Sequence, residues 1–243
     1  MKVIAHRGAS GQYPENTLLA FSEAIKQLAD GIELDIQYHH SHNFVLLHDN
    51  DLKKTTNGEG SINDYSLVDL QQLDAGLGEF IPTLQQALKL INGDCLVNIE
   101  LKTTVIDQAS FLKIITLLEH NIEHAIMFHG FSSSQFIISS FNHPLLAELK
   151  TLFPELATAT LVDLCPLNYA QCAQQLKAVS FNPSIKIVNQ QLVDDAHRRG
   201  LNVWVYTVDI RQDIDKCFAY GVDGVFTNYP KQTKNYIQQL QTK

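Results

Sequence analysis

The sequence predicts an α/β barrel in which parallel strands alternate with helices and close on themselves. Its 243 residues suit one barrel of this kind around a single hydrophobic core. Short apolar runs alternate with amphipathic segments along almost the whole chain, which is the pattern of successive βα units. We therefore expect a TIM (β/α)8 barrel that forms one domain from residue 1 to residue 243.

Nine apolar runs are candidate strands. They are residues 3–5, 31–36, 44–48, 96–101, 136–141, 157–162, 179–182, 203–208 and 224–227. Helical periodicity separates most of them, at residues 17–28, 84–91, 111–118, 145–152, 169–176, 192–199 and 214–220. The barrel needs eight strands, so one candidate lies outside it.

The run at residues 44–48 is the candidate that does not fit. The gap after Ile36 is too short for a parallel crossover, which usually needs about a dozen residues. We predict a hairpin instead, in which the second strand extends beyond the barrel rim and turns at residues 41–43. The chain then returns antiparallel and brings His48 to the level of Asp35.

Composition and charge exclude several classes of partner. The formal net charge of -8 argues against proteins that bind nucleic acid or anionic membranes through basic patches. It does not exclude an anionic substrate, because a local cation can override the global field. The apolar run before His6 is too short for a signal peptide or a membrane span, so we expect a cytoplasmic protein. The four cysteines lack metal-ligand spacing, and we expect reduced thiols.

Acidic side chains recur on two strands at a spacing that places them on one face. Residues i and i+2 of a strand point to the same side, so Glu33 and Asp35 converge, as do Glu100 and Lys102 on a later strand. Three ionised carboxylates inside a barrel require compensation, and a hard divalent cation such as Mg²⁺ or Ca²⁺ suits oxygen ligands. The alternative is a buried carboxylate–lysine network that holds no metal.

Two histidines and an arginine stand at strand ends. His6 and Arg7 end the first strand just before Gly8, and His48 ends the returning run. Histidine suits acid–base catalysis near neutral pH, and Arg7 offers a planar, permanently charged fork to a phosphate. Either histidine alone is more commonly structural. Together with the three acids and Lys102, they predict a catalytic site at the carboxyl end of the barrel strands.

These residues belong to a series of motifs that keeps its order along nearly the whole chain. The motifs are His6-Arg7-Gly8, Pro14-Glu15-Asn16-Thr17, Glu33-Leu34-Asp35, His48-Asp49 with Leu52 and Thr55-Thr56-Asn57-Gly58, Asn98-Ile99-Glu100-Leu101-Lys102, Ser140-Phe141, Val205-Tyr206-Thr207-Val208-Asp209 and Gly221-Val222-Asp223-Gly224-Val225-Phe226-Thr227-Asn228. The series resembles the glycerophosphodiester phosphodiesterase family, in particular its short cytosolic bacterial members. Each motif alone is weakly specific, whereas the ordered set is highly specific.

The resemblance implies a barrel of the phospholipase C-like phosphodiesterase type, with a small insertion after the second strand at about residues 49–81. It implies hydrolysis of glycerophosphodiesters, small molecules of lipid and glycerol metabolism, to glycerol 3-phosphate and an alcohol. It also implies a role for each site residue by position. The catalytic pair is His6 and His48, the ligands of Mg²⁺ or Ca²⁺ are Glu33, Asp35 and Glu100, and the cations that contact phosphate are Arg7 and Lys102.

The chain departs from the family pattern in two places. It has Tyr206 where the family often has Trp, and Trp204 precedes it on the same face. We expect Tyr206 to contact substrate, whereas Trp204 either walls the pocket or fills the barrel. The turn at residues 39–43, His39-His40-Ser41-His42-Asn43, replaces a Thr-Lys-Asp-Gly type of turn. We expect its histidines to be solvated and not to bind a metal.

Two rival functions fit parts of the pattern. A related barrel phosphodiesterase that acts on lysophospholipids or phosphoinositide head groups would need an exposed apolar rim or a membrane anchor, and the sequence indicates neither. A catalytically silent barrel that binds metabolites would have lost a histidine or a metal carboxylate, and this chain keeps them all. We therefore predict metal-dependent hydrolysis with two-histidine acid–base catalysis. Which histidine is the acid, and whether a cyclic phosphate forms first, stay open at this point.

Overall fold

Nine strands form one sheet in the part of the chain that this computed structural model describes, residues 1–103 and 108–242. The strands are β1 (Lys2–His6), β2 (Gly31–His39), β3 (Asn43–Leu46), β4 (Leu96–Lys102), β5 (Phe136–Ser140), β6 (Ala157–Val162), β7 (Ser180–Pro183), β8 (Asn202–Val205) and β9 (Gly224–Thr227). Eight of them are parallel and follow the order β1-β9-β8-β7-β6-β5-β4-β2. Pairing of β1 with β2 closes the barrel, so the predicted fold class is confirmed.

β3 is the strand outside the barrel. It pairs antiparallel with β2, with Leu46 opposite Ile36 and Phe44 opposite Tyr38. The hairpin prediction is therefore confirmed, although the turn covers residues 40–42 and lies one residue earlier than expected. The register carries the chain after Leu46 back alongside the carboxylates of β2.

The described ranges contain nine α-helices, of which α2 belongs to the segment at residues 49–81. They are α1 (Leu18–Lys26), α2 (Leu67–Leu70), α3 (Leu84–Ile91), α4 (Gln108–Phe128), α5 (His143–Leu152), α6 (Gln171–Gln175), α7 (Gln190–Arg198), α8 (Arg211–Ala219) and α9 (Pro230–Gln241). Side-chain caps begin several of them, as where Thr17 accepts a hydrogen bond from the Ala20 amide and Asn189 accepts one from the Leu192 amide. None of the helices in these ranges has the length and the apolar run needed to cross a bilayer.

Apolar side chains fill both the inside of the barrel and the space between its strands and the helices. Inside the barrel, Ile4, Trp204 and Phe226 pack with small and aliphatic neighbours. Between the strands and the helices lie two larger clusters, one around β2, β4 and β5 and one around β7, β8 and β9. This burial on both faces of the strands is what parallel barrel strands require.

The segment at residues 49–81 packs above the barrel around a small core of its own. That core consists of Val45, Leu47, Leu52, Ile62, Leu70 and Ile81. Val45 belongs to β3, so the returning hairpin strand anchors the segment to the barrel. The segment therefore stands beside the carboxyl ends of β2 and β4.

Candidate active site

Neighbouring strands place the predicted site residues side by side. In the parallel register, His6 of β1 lies next to Glu33 of β2. Asp35 of β2 in turn lies next to Glu100 of β4, and Lys102 follows two residues later on the same strand. The carboxyl ends of three adjacent barrel strands thus bring the cationic and acidic groups to one point.

A cavity of about 230 Å³ opens at this point. Seven of the eight residues proposed from the sequence line it, namely His6, Arg7, Glu33, His48, Glu100, Lys102 and Tyr206. The eighth, Asp35, is fully buried and holds Arg7 and Lys102 by ion pairs. The barrel and the returning hairpin thus assemble the whole predicted set in one place.

Glu33, Asp35 and Glu100 form a cluster that could hold a metal ion. One carboxylate oxygen from each lies within 4.8 Å of the others. Burial, followed by the neighbouring carboxylates, raises the pKa of Glu33 well above its usual value and raises the pKa of Glu100 to about 7. Among the described residues, Oε1 of Glu33 is buried with no hydrogen-bond partner. A divalent cation would supply that partner and relieve the repulsion, so the residues fit a hard metal ion.

Two basic side chains stand among these acids. Nζ of Lys102 lies 3.1 Å from Oδ1 of Asp35 and 2.5 Å from Oε1 of Glu100. Nε of Arg7 lies 3.1 Å from Oδ2 of Asp35, and its Nη1 lies 2.9 Å from Oε1 of Glu15. Burial alone would raise the pKa of Asp35, but Lys102 and Arg7 outweigh burial and lower it. Asp35 is therefore the ionised carboxylate of the cluster, and it pairs with both basic side chains.

His6 is held as a neutral imidazole. Burial and the adjacent Arg7 lower its pKa to about 4. Its Nδ1 lies 2.8 Å from Oδ1 of Asn228, and the Asn228 amide is oriented by donation from its Nδ2 to Oδ2 of Asp209 at 2.7 Å. Because the Asn228 oxygen can only accept, the His6 proton is on Nδ1 and the lone pair is on Nε2.

His48 follows β3 and is oriented by the residue next to it. Its Nδ1 lies 3.2 Å from Oδ2 of Asp49, whose other oxygen accepts from Nζ of Lys54 at 2.9 Å. The ring therefore uses Nδ1 to contact a carboxylate and keeps Nε2 for another partner. Both histidines line the same cavity, which is the arrangement needed for one proton acceptor and one proton donor.

Comparison with known proteins identifies the family of this chain. The family model described as the glycerophosphoryl diester phosphodiesterase family matches residues 6–232. This chain belongs to that family. A glycerophosphodiester phosphodiesterase of Caldanaerobacter subterraneus is 35% identical to it over 245 residues, which cover 98% of each chain. One of Bacillus subtilis is 33% identical, covering 93% of this chain and 83% of its own.

A solved structure of the same family has the same fold. The Oleispira antarctica phosphodiesterase, solved in complex with the product sn-glycerol-3-phosphate, superposes with a TM-score of 0.87. It is 30% identical to this chain, and the match covers 98% of this chain and 97% of that one. The predicted family and the predicted enzyme class, a phosphodiesterase, are confirmed by these matches together with the family model.

Three family motifs contain buried or half-buried residues to which the sequence analysis gave no role. Asn16 donates from Nδ2 to Oδ2 of Asp35 at 2.9 Å and accepts from the Asp35 amide at 3.1 Å. Asn228 orients His6, and Asp209 orients Asn228. The available signal was their place within motifs at strand ends, but the partners are far apart along the chain and only the folded barrel pairs them.

The expectation that the turn histidines are all solvated is wrong for His39. It is the last residue of β2 and is fully buried. Its Nδ1 lies 2.7 Å from Oγ of Ser41, and its Nε2 lies 3.0 Å from the carbonyl oxygen of Tyr65. Residues 49–81 cover it, because Tyr65 belongs to that segment. His40 and His42 are exposed, as expected.

The two aromatic residues of the Tyr206 motif occupy different places. Trp204 is buried inside the barrel against Phe226, with ring centroids 6.0 Å apart. Tyr206 lines the cavity instead, and its hydroxyl donates to the carbonyl oxygen of Val162 at 2.8 Å. Of the two alternatives for Trp204, the structure therefore selects the one in which it fills the barrel.

Proposed function

We propose that this chain hydrolyses glycerophosphodiesters to glycerol 3-phosphate and an alcohol, with a divalent metal ion and two histidines. The observation that carries the proposal is the single cavity lined by His6, His48 and Lys102 next to a cluster of three carboxylates. The product complex of the Oleispira antarctica relative supports the same substrate class. Small-molecule cleavage also agrees with a cavity of about 230 Å³.

Glu33, Asp35 and Glu100 would hold the metal, and their oxygen-only donor set favours Mg²⁺ or Ca²⁺. When bound, the ion supplies positive charge to a phosphate oxygen. The charge of the metal would then neutralise the carboxylates, so Lys102 and Arg7 would be held less tightly by Asp35 and Glu100. These two side chains bind the non-bridging phosphate oxygens and stabilise the charge that grows on them.

The histidines divide the proton transfers. His6, neutral and with its lone pair on Nε2, removes a proton from the attacking hydroxyl of water or of the glycerol moiety. The oxygen of that hydroxyl forms a bond to phosphorus while the bond to the leaving alcohol breaks. His48, paired with Asp49, donates a proton to the alcohol oxygen. If the glycerol hydroxyl attacks first, water then opens the cyclic phosphate with the same two groups in reversed roles.

Three points complete the proposal, on the domain, on the glycerol pocket and on cellular location. We infer that the 243 residues of the chain act as one catalytic domain. A neighbouring cavity of about 560 Å³ is lined by Asn50, Ile62 and Asn63 of the 49–81 segment as well as by His48 and Lys102, and it would take the glycerol side of the substrate. The cytoplasmic location stays a prediction from the sequence.

A second candidate function is hydrolysis of lysophospholipids, and one observation favours it. Leu164 exposes 78% of its surface, although it lines a cavity that shares Phe141 and Leu161 with the site. An apolar rim of this kind was not indicated by the sequence. In this second candidate the glycerol moiety would bind on the side of Phe141, in the opposite orientation, and the rim would contact its acyl chain.

Assays of product release test the proposed function, with glycerol 3-phosphate as the readout for the glycerophosphodiesters and choline as the readout for lysophosphatidylcholine. The panel contains glycerophosphocholine, glycerophosphoethanolamine, glycerophosphoglycerol and lysophosphatidylcholine, each with Mg²⁺, with Ca²⁺ and with chelator. We expect metal-dependent release from the first three compounds. Release that is unaffected by exhaustive chelation would contradict metal dependence. Turnover of lysophosphatidylcholine alone would favour the second candidate.

A further inference from the structure

We propose that Phe141, Tyr206 and Asp163 select a leaving alcohol that carries a quaternary ammonium group, such as choline. This inference rests on the proposed function, because it assigns the alcohol side of the same site. It concerns residues beyond the histidines, the carboxylates and the phosphate-binding cations.

Phe141 and Tyr206 form two aromatic walls at a right angle. Their ring centroids lie 5.9 Å apart, and their planes are inclined by 86°. The bond from the Tyr206 hydroxyl to the Val162 carbonyl fixes the orientation of one wall. Phe141 is half-exposed, so a ligand can reach it. The ring surface that this edge-to-face pair leaves open can hold an alkylammonium cation through cation–π contacts.

Phe141 stands between the catalytic cavity and a second cavity. Phe141 and Leu161 line both the catalytic cavity and an adjoining cavity of about 540 Å³. The adjoining cavity is also lined by Val162, Asp163 and Leu164. An alcohol bound through its phosphate near Lys102 would extend past Phe141 towards Asp163. Aliphatic walls suit the methyl groups of a trimethylammonium, and one carboxylate suits its charge.

The charges around these two rings favour a cation over a neutral or anionic alcohol. Burial is the main cause that raises the pKa of the Tyr206 phenol, and the carboxylates of Asp163 and Glu100 raise it further. Negative potential therefore reaches this ring. Among the described residues, no lysine or arginine lines the adjoining cavity. His143 lines it too, with Nε2 3.1 Å from the carbonyl oxygen of Leu161.

The test compares glycerophosphocholine with its neutral isostere, glycerophospho-3,3-dimethylbutanol, in which carbon replaces the quaternary nitrogen. The two substrates share shape, but the ammonium group also makes choline the better leaving alcohol. The part of the kcat/KM ratio that the variants below remove therefore measures recognition of the charge by the protein. We expect the metal-loaded enzyme to favour glycerophosphocholine on the order of tenfold. A ratio near one, or preference for the neutral compound, would overturn the inference.

Variants identify the groups that produce the ratio. Phe141→Leu and Asp163→Asn should each bring it to within about twofold of one, since each removes one source of attraction for a cation. Tyr206→Phe should lower the ratio only partly, because the ring remains but loses the bond to Val162 that fixes its orientation. The matched controls Phe128→Leu and Asp94→Asn, both at exposed positions outside the two cavities, should keep the ratio. A ratio that survives both Phe141→Leu and Asp163→Asn would contradict the assignment.

A binding measurement separates this inference from the proposed function. Calorimetric titration of choline and of 3,3-dimethylbutanol into the metal-loaded protein with saturating inorganic phosphate requires no turnover. Selective binding of choline without any release of glycerol 3-phosphate would support the inference and contradict the proposed function. Turnover of both substrates at equal rates, with no selective binding, would contradict the inference alone.

Discussion

Nδ1 of His6 lies 2.8 Å from the side-chain oxygen of Asn228, and this contact determines which ring nitrogen is available for proton transfer. The amide of Asn228 cannot turn over without losing its bond to Asp209 at 2.7 Å. Oγ of Ser10 donates to the same Asn228 oxygen at 2.7 Å, which strengthens this orientation. Asn228 is therefore a positioning residue for His6.

Asn228→Leu should lower kcat by about 10- to 100-fold and leave KM nearly unchanged, because the substrate contacts remain while His6 loses its fixed tautomer. Steady-state kinetics of glycerol 3-phosphate release measure both constants. Asn202→Leu, at an exposed position at the start of β8, is the matched control. A kcat within about twofold of the unaltered enzyme would exclude a positioning role.

Lys102→Met should change metal affinity and catalysis in opposite directions. Nζ of Lys102 lies between Asp35 and Glu100, so its removal should raise Mg²⁺ affinity by about tenfold. Its loss as a phosphate contact should lower kcat/KM by at least about 100-fold. Isothermal titration of metal and steady-state kinetics give the two values. Lys234→Met, which removes a pair with Asp30 far from the cavity, is the control. Weaker metal binding in Lys102→Met would contradict the proposed metal site.

Stabilisation by metal should increase with pH. Burial and then the Asp35 carboxylate raise the pKa of Glu100 from 4.5 to about 7, and burial and Asp35 likewise raise that of Glu33. With no metal bound, the folded state holds more protons than the unfolded state between these values, so its stability falls as pH rises from about 4.5 to 7. Metal replaces those protons. The shift in Tm on adding Mg²⁺ or Ca²⁺ should therefore be small at pH 5 and largest above pH 7.

His6 acts in the opposite sense but does not obscure this result. Its pKa is lowered from 6.5 to about 4, so it contributes stability that is lost as pH falls through that window. The contribution is present with and without metal, so subtracting the two Tm curves removes most of it. Differential scanning calorimetry over this range provides both curves. A metal-induced shift that is equal at pH 5 and pH 8 would contradict the assignment of Glu33 and Glu100.

Gly8→Ala should destabilise the fold more than Gly200→Ala. Both glycines have positive φ, +82° and +77°, so alanine costs about 1–2 kcal/mol at either position. At Gly8 the added Cβ would also lie 2.7 Å from the carbonyl carbon of Ala20, which adds about 1–3 kcal/mol, whereas nothing lies within 4 Å at Gly200. Urea denaturation gives the two free energies of unfolding. Equal losses would show that the close approach of Gly8 to α1 is not a constraint.

Local spacing predicted much of the site. The i, i+2 pattern of Glu33 and Asp35 placed both carboxylates on one strand face, and the short gap before residue 44 predicted the hairpin that returns His48. The alternation of apolar runs with amphipathic segments predicted the barrel, and the motif series identified the family. These predictions succeeded because each rests on residues close together in the chain or on motifs in a fixed order.

Contacts between distant residues were not predictable in the same way. The partners His6 and Asn228 are 222 residues apart, and only closure of the barrel between β1 and β9 brings them together. Burial of His39 depends on Tyr65, which lies in the separate 49–81 segment. Helix α9 escaped prediction because it is polar, with Thr233 and Ile237 among its few buried side chains. In each case tertiary packing and not local pattern decides the outcome.

The most direct test of the account is kcat/KM for glycerol 3-phosphate release from glycerophosphocholine by the Mg²⁺-loaded enzyme and its histidine variants. His6→Ala and His48→Ala should each lose at least about 1,000-fold, because each removes one of the two proton-transfer groups. His120→Ala, at an exposed position on α4, should match the unaltered enzyme. Activity within about tenfold of the unaltered enzyme in either His6→Ala or His48→Ala would contradict two-histidine catalysis.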